Sequence, residues 1–294
     1  MHPDEISVSA DVVRDLIATQ FPEWGDLPLR KITSTGTVNA IFRIGSELAA
    51  RFPLRHGDPS TVLAALRQEA GAAATIAAHS PVPVPRPVAI GAPGFGYPLP
   101  WSVQTWLPGT VATEDDPGES AAFAADLAAF IAALRTIDTG GAHFAGTGRG
   151  GDLRTHDEWV ETCFRRSEGM LDVPRLRGLW QGYRDLPRTA PDVMSHCDLI
   201  PANVLVADGR LAGILDTGGF GPADPALDLV GAWHLLEATP RALLRDRLGC
   251  DDVEWERGKA WAFQQSMGLV WYYAETNPAM SRLGRRTLER ILAG

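Results

Sequence analysis

The chain has 294 residues, of which 45% are hydrophobic, and its formal charge is −9 at pH 7. This length suggests one or two globular domains, and the acidic balance argues against a nucleic-acid-binding protein, which needs a basic surface. Residues 1–109 carry a net charge of −1 and residues 110–294 a net charge of −8. The second part could therefore concentrate a cationic substrate, although a solvated acidic surface explains the charge equally well.

The cysteines and the N-terminus indicate the compartment. The three cysteines form no Cys-x-x-Cys pair, which favours a reducing environment over a disulfide framework or a zinc site. The N-terminal segment has acidic residues where a signal peptide has basic ones, and no apolar stretch is as long as a membrane span. We therefore expect a soluble, cytoplasmic protein that binds neither membranes nor nucleic acid; its oligomeric state is not predicted.

The first part of the chain is rich in predicted strands. Hydrophobic spacing predicts strands at 29–33, 40–44, 48–52, 88–90 and 101–106. Two helices are predicted, at 12–21 and 61–79. The proline-rich segment 81–87 can form neither a helix nor a central strand.

From residue 107 the pattern becomes mostly helical. Helices are predicted at 120–137, 157–169, 173–186, 225–238, 241–248, 253–276 and 281–292. Two short strands at 204–206 and 211–215 interrupt the helices, and Asp208-Gly209 between them is a strong signal for a hairpin turn.

A polar motif surrounds this predicted hairpin. His196-Cys197-Asp198 is followed by Asn203, and Asp216 comes 13 residues after Asn203 at the end of an apolar run. Phosphoryl transfer needs a carboxylate to orient the attacking hydroxyl, oxygen ligands for Mg²⁺, and cations for the phosphates. Asp198 and Asn203 can supply the carboxylate and one metal ligand, and the hairpin would bring Asp216 beside Asn203. Because Mg²⁺ prefers such hard oxygen ligands together with phosphate oxygens, the motif predicts phosphoryl transfer.

These segments resemble the aminoglycoside phosphotransferase family over nearly the whole chain. HCDLIPANVL at 196–205 and GILDTGGFGPADPALDL at 213–229 stand where the family usually has H-G-D-x-x-x-x-N and I-D-[FW]. The resemblance implies an α+β, protein-kinase-like fold of two lobes. A small antiparallel-sheet lobe at 1–106 would bind nucleotide, and a large helical lobe at 107–294 would carry the catalytic loop and the substrate site.

The implied reaction is an ATP- and Mg²⁺-dependent transfer of the γ-phosphoryl group to a hydroxyl of a small molecule, such as an aminoglycoside-like or other antibiotic, with GTP as a possible donor. By the resemblance, Asp198 is the catalytic base, and Asn203 and Asp216 bind Mg²⁺. His196 would support this loop. Asp224 and Asp228 would either support the loop or face the substrate.

The resemblance places the nucleotide in the N-terminal part. Arg51 would hold phosphates where protein kinases use Lys, and Glu69 on the predicted helix would pair with it. The hinge at 104–107, including Gln104 and Trp106, would receive adenine through its backbone. Residues that would cover the phosphates are Ser34, Thr35, Gly36, Thr37 and Asn39.

Four residues of the predicted C-terminal helices are candidate substrate contacts. Trp233 and Trp271 would line a pocket with their rings, with core packing as the alternative. Glu237 and Glu275 would attract a cationic substrate, with an ordinary charged surface as the alternative. The sequence at 146–151 matches the pattern G-x-G-x-x-G, but no strand precedes it, so we predict a flexible loop there.

Two other functions remain open from the sequence. A metabolic kinase acting on a sugar, a choline-like alcohol or an amino alcohol would carry the same motifs. A nucleotide-binding pseudokinase would explain the departures from the family pattern at Arg51, at Cys197 in place of Gly, and at Thr217 in place of an aromatic residue.

Overall fold

A computed structural model of the chain describes residues 6–32, 38–146 and 148–294. Its internal contacts divide it into two units. The first unit comprises Met1–Ala78 and Pro83–Pro108, and the second comprises His79–Val82 and Gly109–Gly294. None of the helices in the described part of the chain combines the length and apolarity that a membrane span requires.

The first unit is built on one antiparallel sheet. Its elements are α1 (Ala10–Gln20), β1 (Leu29–Ile32), β2 (Asn39–Ile44), β3 (Leu48–Pro53), α2 (Pro59–His79), β4 (Pro87–Gly91) and β5 (Trp101–Thr105). The strand order is β1-β2-β3-β5-β4. Every second side chain of β2 is buried, which is the period of two that made this strand recognisable in the sequence.

Aromatic side chains fill the core of this unit. The rings of Phe52 and Trp101 are fully buried and stack with their centroids 4.8 Å apart. Tyr97 packs edge-on against Phe52 and donates its hydroxyl to the carbonyl of Pro53 at 2.7 Å. Each such buried side chain stabilises the unit by about 1.5–3 kcal/mol, so this cluster holds the sheet that carries Arg51 on β3.

The second unit is mainly helical. Its elements are β6 (Thr110–Val111), α3 (Ala121–Arg135), α4 (Asp157–Arg166), α5 (Val173–Tyr183), β7 (Val193–Ser195), β8 (Val204–Ala207), β9 (Arg210–Ile214), β10 (Gly221–Ala223), α6 (Val230–Leu235), α7 (Ala238–Leu248), α8 (Asp252–Tyr272) and α9 (Pro278–Ala293). Most residues of α8 are buried around its whole circumference, as expected for a helix at the centre of a core. Gly284 on α9 permits close packing there, because an added Cβ would lie 2.9 Å from the carbonyl oxygen of Ser266 on α8.

The helix predicted at 225–238 is wrong in extent. The segment forms a short 3-10 turn at Leu227–Leu229 followed by the six-residue α6. The chain then becomes extended at Leu236 and Glu237 before α7 begins at Ala238. Pro240 falls in the first turn of α7, where a missing backbone N–H costs nothing, so this helix begins earlier than the predicted residue 241.

Three strands that the sequence did not predict, β6, β7 and β10, pair with distant segments. β7 pairs with β10, with Ser195 opposite Gly221, and β6 pairs with β8 in a three-stranded sheet that ends in β9. The β7–β10 ribbon therefore holds both ends of the segment 196–220, which contains the predicted catalytic motif.

Candidate active site

The motif residues meet where the β8–β9 hairpin begins and ends. Val204 lies opposite Ile214 in the register of the hairpin, and Leu215 donates its N–H to the carbonyl of Asn203 at 2.7 Å. Asp216 is thus the next residue after the one hydrogen-bonded to Asn203. Its φ is 57°, in the left-handed region, which costs a non-glycine residue roughly 1–3 kcal/mol and is most often tolerated at functional sites.

The side chain of Asn203 also holds Asp198. Its amide nitrogen donates to the backbone carbonyl of Asp198 at 3.0 Å and to carboxylate oxygen Oδ2 at 2.9 Å. With the nitrogen used in this way, the amide oxygen of Asn203 is the atom left to bind a cation. An amide oxygen and a neighbouring Asp216 carboxylate are hard donors that fit Mg²⁺, which usually takes one or two carboxylates and completes its shell with phosphate oxygens and water.

Asp228 supports the predicted catalytic loop, residues 196–203, through two backbone hydrogen bonds. It is 2% exposed and accepts the backbone N–H groups of His196 at 2.8 Å and Cys197 at 2.9 Å. Burial raises the pKa of this carboxyl, while the two N–H groups act in the opposite direction. His196 is fully buried and donates from Nε2 to the carbonyl of Leu215 at 3.1 Å, so it ties the loop to the end of β9.

Cys197 occupies a backbone position suited to glycine. Its φ is 70°, which explains why a glycine at this place, as in the family pattern, would be free of strain. The thiol is half-buried, and burial raises its pKa far above the usual range. The structure therefore accommodates the side chain at Cys197 and makes its thiol a poor nucleophile.

Asp224 makes a different set of contacts. Its carboxylate accepts from Arg257 Nε at 2.8 Å and from Trp261 Nε1 at 3.1 Å, with all three side chains buried. The backbone N–H of Asp224 donates to the carbonyl of Gly150 at 2.9 Å, and Arg257 Nη2 donates to that of Gly151 at 3.3 Å. Asp224 thus anchors the glycine-rich segment at 148–151, and its hydrogen bonds within the described residues include none to residues 196–203.

That segment is more than a flexible connection. Arg149 extends from it to Asp198, with 3.1 Å between its Nη2 and Asp198 Oδ1. Gln265 on α8 donates to the same oxygen at 3.4 Å. The sequence carries no local signal for the contact, because the two partners are 49 residues apart. We predicted a loop at 146–151 without a functional role, and the contact of Arg149 with Asp198 could not be foreseen from that pattern.

A comparison with protein families agrees with this geometry. The sequence model of the phosphotransferase enzyme family, APH, matches residues 30–261. The chain belongs to this family. The predicted family, the kinase-like α+β fold class and the enzyme class, a small-molecule phosphotransferase, are confirmed.

Solved structures resemble this phosphotransferase over nearly their whole length. The GDP and kanamycin complex of APH(2")-IIia is 19% identical with a TM-score of 0.69, and the match covers 96% of this chain and 98% of that one. Macrolide 2'-phosphotransferase MphH from Brachybacterium faecium is 22% identical with a TM-score of 0.62, covering 95% and 97%. The streptomycin-ATP-APH(2")-IIa ternary complex is 15% identical with a TM-score of 0.60, covering 98% and 97%. No curated protein matched the sequence.

The first unit of the phosphotransferase contains the predicted ion pair. Arg51 on β3 pairs with Glu69 on α2, and both side chains are largely buried. Asn39 begins β2 and is half-buried, whereas four other predicted phosphate contacts lie outside the described residues. Those four are Ser34, Thr35, Gly36 and Thr37.

The predicted hinge at 104–107 already uses some of its backbone N–H groups in hydrogen bonds with neighbouring segments. Gln104 lies in β5, opposite Ala49 of β3. The N–H of Trp106 donates to the carbonyl of Glu47 at 2.7 Å, and the N–H of Thr105 donates to that of Arg86 at 2.9 Å. These two donors are therefore already used, and a base would have to bind through the remaining backbone groups of the segment.

The four candidate substrate contacts have different environments. Trp233 is 1% exposed, and its ring lies under the cations of Arg241 and Lys259, so this residue belongs to the core and cannot line an open pocket. Trp271 is half-buried on α8 with its ring against Trp159 of α4.

Glu237 is committed to ion pairs with α9. It accepts from Arg290 Nη2 and Arg286 Nη2, each at 2.7 Å. The hydrogen bonds from Arg290 and then from Arg286 lower the pKa of Glu237 to about 2. Its charge is thus neutralised within the protein, which corrects the expectation that it attracts a cationic substrate. Glu275 is exposed in the turn between α8 and α9.

Proposed function

We propose that this phosphotransferase transfers the γ-phosphoryl group of ATP to a hydroxyl of a small molecule, with Mg²⁺ as cofactor. The observation that carries the proposal is the position of Asp198. Its carboxylate is fixed by Asn203, and Asn203 is hydrogen-bonded through its carbonyl to the residue before Asp216. In this proposal, a proton acceptor for the attacking hydroxyl and two oxygen ligands would come from the two ends of a single hairpin.

In this proposal Asp198 orients the acceptor hydroxyl and takes its proton as the oxygen attacks phosphorus. Asn203 and Asp216 would hold Mg²⁺, which when bound would neutralise charge on the phosphates. Arg51 would bind phosphate oxygens while Glu69 keeps its guanidinium in place. Asp228 maintains the backbone of the loop through His196 and Cys197.

Arg149 would supply the positive charge that the catalytic loop lacks. The segment 196–203 contains neither Lys nor Arg, whereas the transferring phosphoryl group carries spread negative charge. Arg149 is in contact with Asp198, and its Nε is buried without a hydrogen-bond partner among the described residues. We therefore assign Arg149 the stabilisation of charge at the phosphoryl group, in addition to positioning Asp198.

For the acceptor we propose a class of compounds, not a single molecule. The similar structures include complexes with kanamycin and streptomycin and a macrolide 2'-phosphotransferase, which favours an antibiotic as acceptor. A metabolic small-molecule kinase has the same catalytic residues. The three free cysteines fit the reducing cytoplasm as the place of the reaction.

The test compares Asp198→Asn with Asp208→Asn, a matched control on an exposed hairpin turn. Asp208 has a φ of 50°, which Asn tolerates. Formation of ADP from ATP, or of GDP from GTP, is measured with Mg²⁺ and a panel of hydroxyl compounds. We expect Asp198→Asn to lose about 10²–10⁴-fold in rate while the control keeps its activity. Equal rates in the wild type and Asp198→Asn would refute the catalytic assignment and favour the pseudokinase.

A further inference from the structure

A cavity of about 560 Å³ lies beside the catalytic loop in the second unit. Its walls include Pro201 of the catalytic loop, His234 and Leu235 of α6, and residues of α9 such as Leu283. Pro201 stands between Asp198 and Asn203 in the chain. The volume is within the range of small-molecule sites, roughly 300–1,000 Å³. The cavity is therefore large enough for an acceptor, and one residue of the segment that contains Asp198 forms part of its wall.

A chain of hydrogen bonds connects the cavity wall to the catalytic carboxylate. Gln265 donates to Asp198 Oδ1 at 3.4 Å, and its Oε1 accepts from His234 Nε2 at 3.1 Å. The other ring nitrogen of His234 accepts from the hydroxyl of Thr287 on α9 at 2.8 Å. Burial lowers the pKa of His234 to about 4, so this wall residue is neutral at pH 7. A ligand in the cavity thus lies against residues that hold Asp198 in position.

The charges around the cavity favour an anion. Among the residues that line it, Asp116 is neutralised by an ion pair with Arg286. Among the residues that the structure describes, Arg285 donates to the backbone carbonyl of Met170 at 3.0 Å and forms no ion pair. Arg282 is exposed, and within the described part of the chain it makes no hydrogen bond or ion pair. In the described part of the chain, neither of these two cations has an ion-pair partner, and the same holds for one acid of the lining, Glu289.

The lining is a poor match for a polycation. A site for a compound with several ammonium groups needs several carboxylates that are free to pair with them. Here Asp116 is occupied by Arg286, and the nearby Glu237 is occupied by both Arg286 and Arg290. The guanidinium groups of Arg282 and Arg285 are instead suited to a carboxylate or a phosphate, which they can bind through paired N–H donors.

We propose that this cavity is the acceptor site and that it binds a hydroxyl compound carrying an anionic group, held by Arg282 and Arg285. The inference rests on the proposed phosphoryl transfer and narrows its acceptor class. It favours an anionic hydroxyl compound over a polycationic aminoglycoside. The anionic group could be a carboxylate or a phosphate ester, since the same arginines recognise both.

The test compares neutral glucose with two relatives that carry an anionic group at C6, with glucosamine, which carries one ammonium group, and with the polycationic kanamycin. Binding of glucose, glucuronate, glucose 6-phosphate, glucosamine and kanamycin is measured by calorimetry for the 294-residue chain with Mg²⁺ and a non-hydrolysable ATP analogue. The same titrations are made with Arg282→Gln and with the control Arg247→Gln. Arg247 is an exposed arginine on α7 that does not line the cavity. ADP formation with each sugar is recorded separately.

We expect glucuronate or glucose 6-phosphate to bind at least about tenfold more tightly than glucose, and glucosamine and kanamycin to bind least. Arg282→Gln should weaken binding of the anionic sugar about tenfold, equivalent to about 1.4 kcal/mol. Arg247→Gln should leave this affinity unchanged. Tighter binding of kanamycin, equal binding of the charged and uncharged sugars, or no binding of any of them would overturn the assignment. A different result would separate the two proposals. If the anionic sugars bind in a way that depends on Arg282 but no acceptor leads to ADP formation, the cavity assignment is supported and the proposed phosphoryl transfer is not.

Discussion

Replacing Arg257 by Met should be among the most destabilising single changes in the second unit. The Arg257–Asp224 ion pair is nearly inaccessible, with side-chain exposures of 3% and 5%. Arg257 also donates to the carbonyls of Leu186 at 2.6 Å and Gly151 at 3.3 Å. Its removal leaves a buried carboxylate with the indole of Trp261 and one backbone N–H as donors.

The size of the effect follows from burial. Removing one partner of a buried ion pair costs about 3–5 kcal/mol, because the remaining charge is neither paired nor hydrated. The Arg184–Asp157 pair is the matched control, since it has the same chemistry but side-chain exposures of 34% and 38%. Removing an exposed pair changes stability by about 0–1 kcal/mol, so Arg184→Met should be close to the wild type.

The assay is urea unfolding followed by tryptophan fluorescence for the wild type and both single variants. A double variant, Asp224→Leu with Arg257→Met, removes both charges and should recover part of the lost stability. The reasoning would be refuted if Arg257→Met cost no more free energy of unfolding than Arg184→Met. It would also be refuted if the double variant were less stable than Arg257→Met alone.

Three further predictions concern the catalytic centre and its surroundings. Arg149→Ala should lower kcat by about 10²-fold or more with a smaller change in KM for ATP, and added guanidinium ion should restore part of kcat. The pKa of His234 is about 4 in the folded state and about 6.5 in the unfolded state. As pH falls, the imidazole is therefore protonated in the unfolded chain at a higher pH than in the folded chain. Stability should therefore fall as pH drops from about 6.5 to 4, by at most ~3 kcal/mol, and acid titration of His234→Gln should lack this part of the decrease. Cys197 should resist iodoacetamide at pH 8 in the folded protein, as measured by mass spectrometry, because burial raises the pKa of its thiol.

Each of these predictions has a control. Arg154→Ala removes an exposed arginine that pairs with Asp185 near the same segment, and a loss of kcat equal to that of Arg149→Ala would indicate a general disturbance of the loop. An unchanged acid profile in His234→Gln would mean that other groups dominate acid unfolding. Rapid alkylation of Cys197 in the folded state, at the rate seen in urea, would contradict its burial.

Several parts of the molecule could be predicted from local sequence. The alternating pattern of β2, the Asp-Gly turn between β8 and β9, and the proline-rich stop after α2 each act within a few residues. The spacing of Asp198, Asn203 and Asp216 is also local, because one hairpin joins them. For this reason the reaction class was accessible before the fold was known.

Other features depend on residues that are far apart in the chain. The strands β7 and β10 are too short to recognise alone and exist because each satisfies the backbone hydrogen bonds of the other. The contact of Arg149 with Asp198 and the anchoring of its segment by Asp224 are tertiary in the same way.

The reaction class of this protein could therefore be predicted from its sequence. Which charged side chains remain unpaired and able to bind a ligand could not. Glu237 looked like a free acid for a cationic substrate, and only the packing of α9 brought Arg286 and Arg290 onto it. Composition counts the charges of a chain, but the tertiary structure determines which of them are neutralised by partners and which remain to meet a ligand. For the proposed acceptor cavity, this difference favours an anionic substrate, whereas the net charge of residues 110–294 had suggested a cationic one.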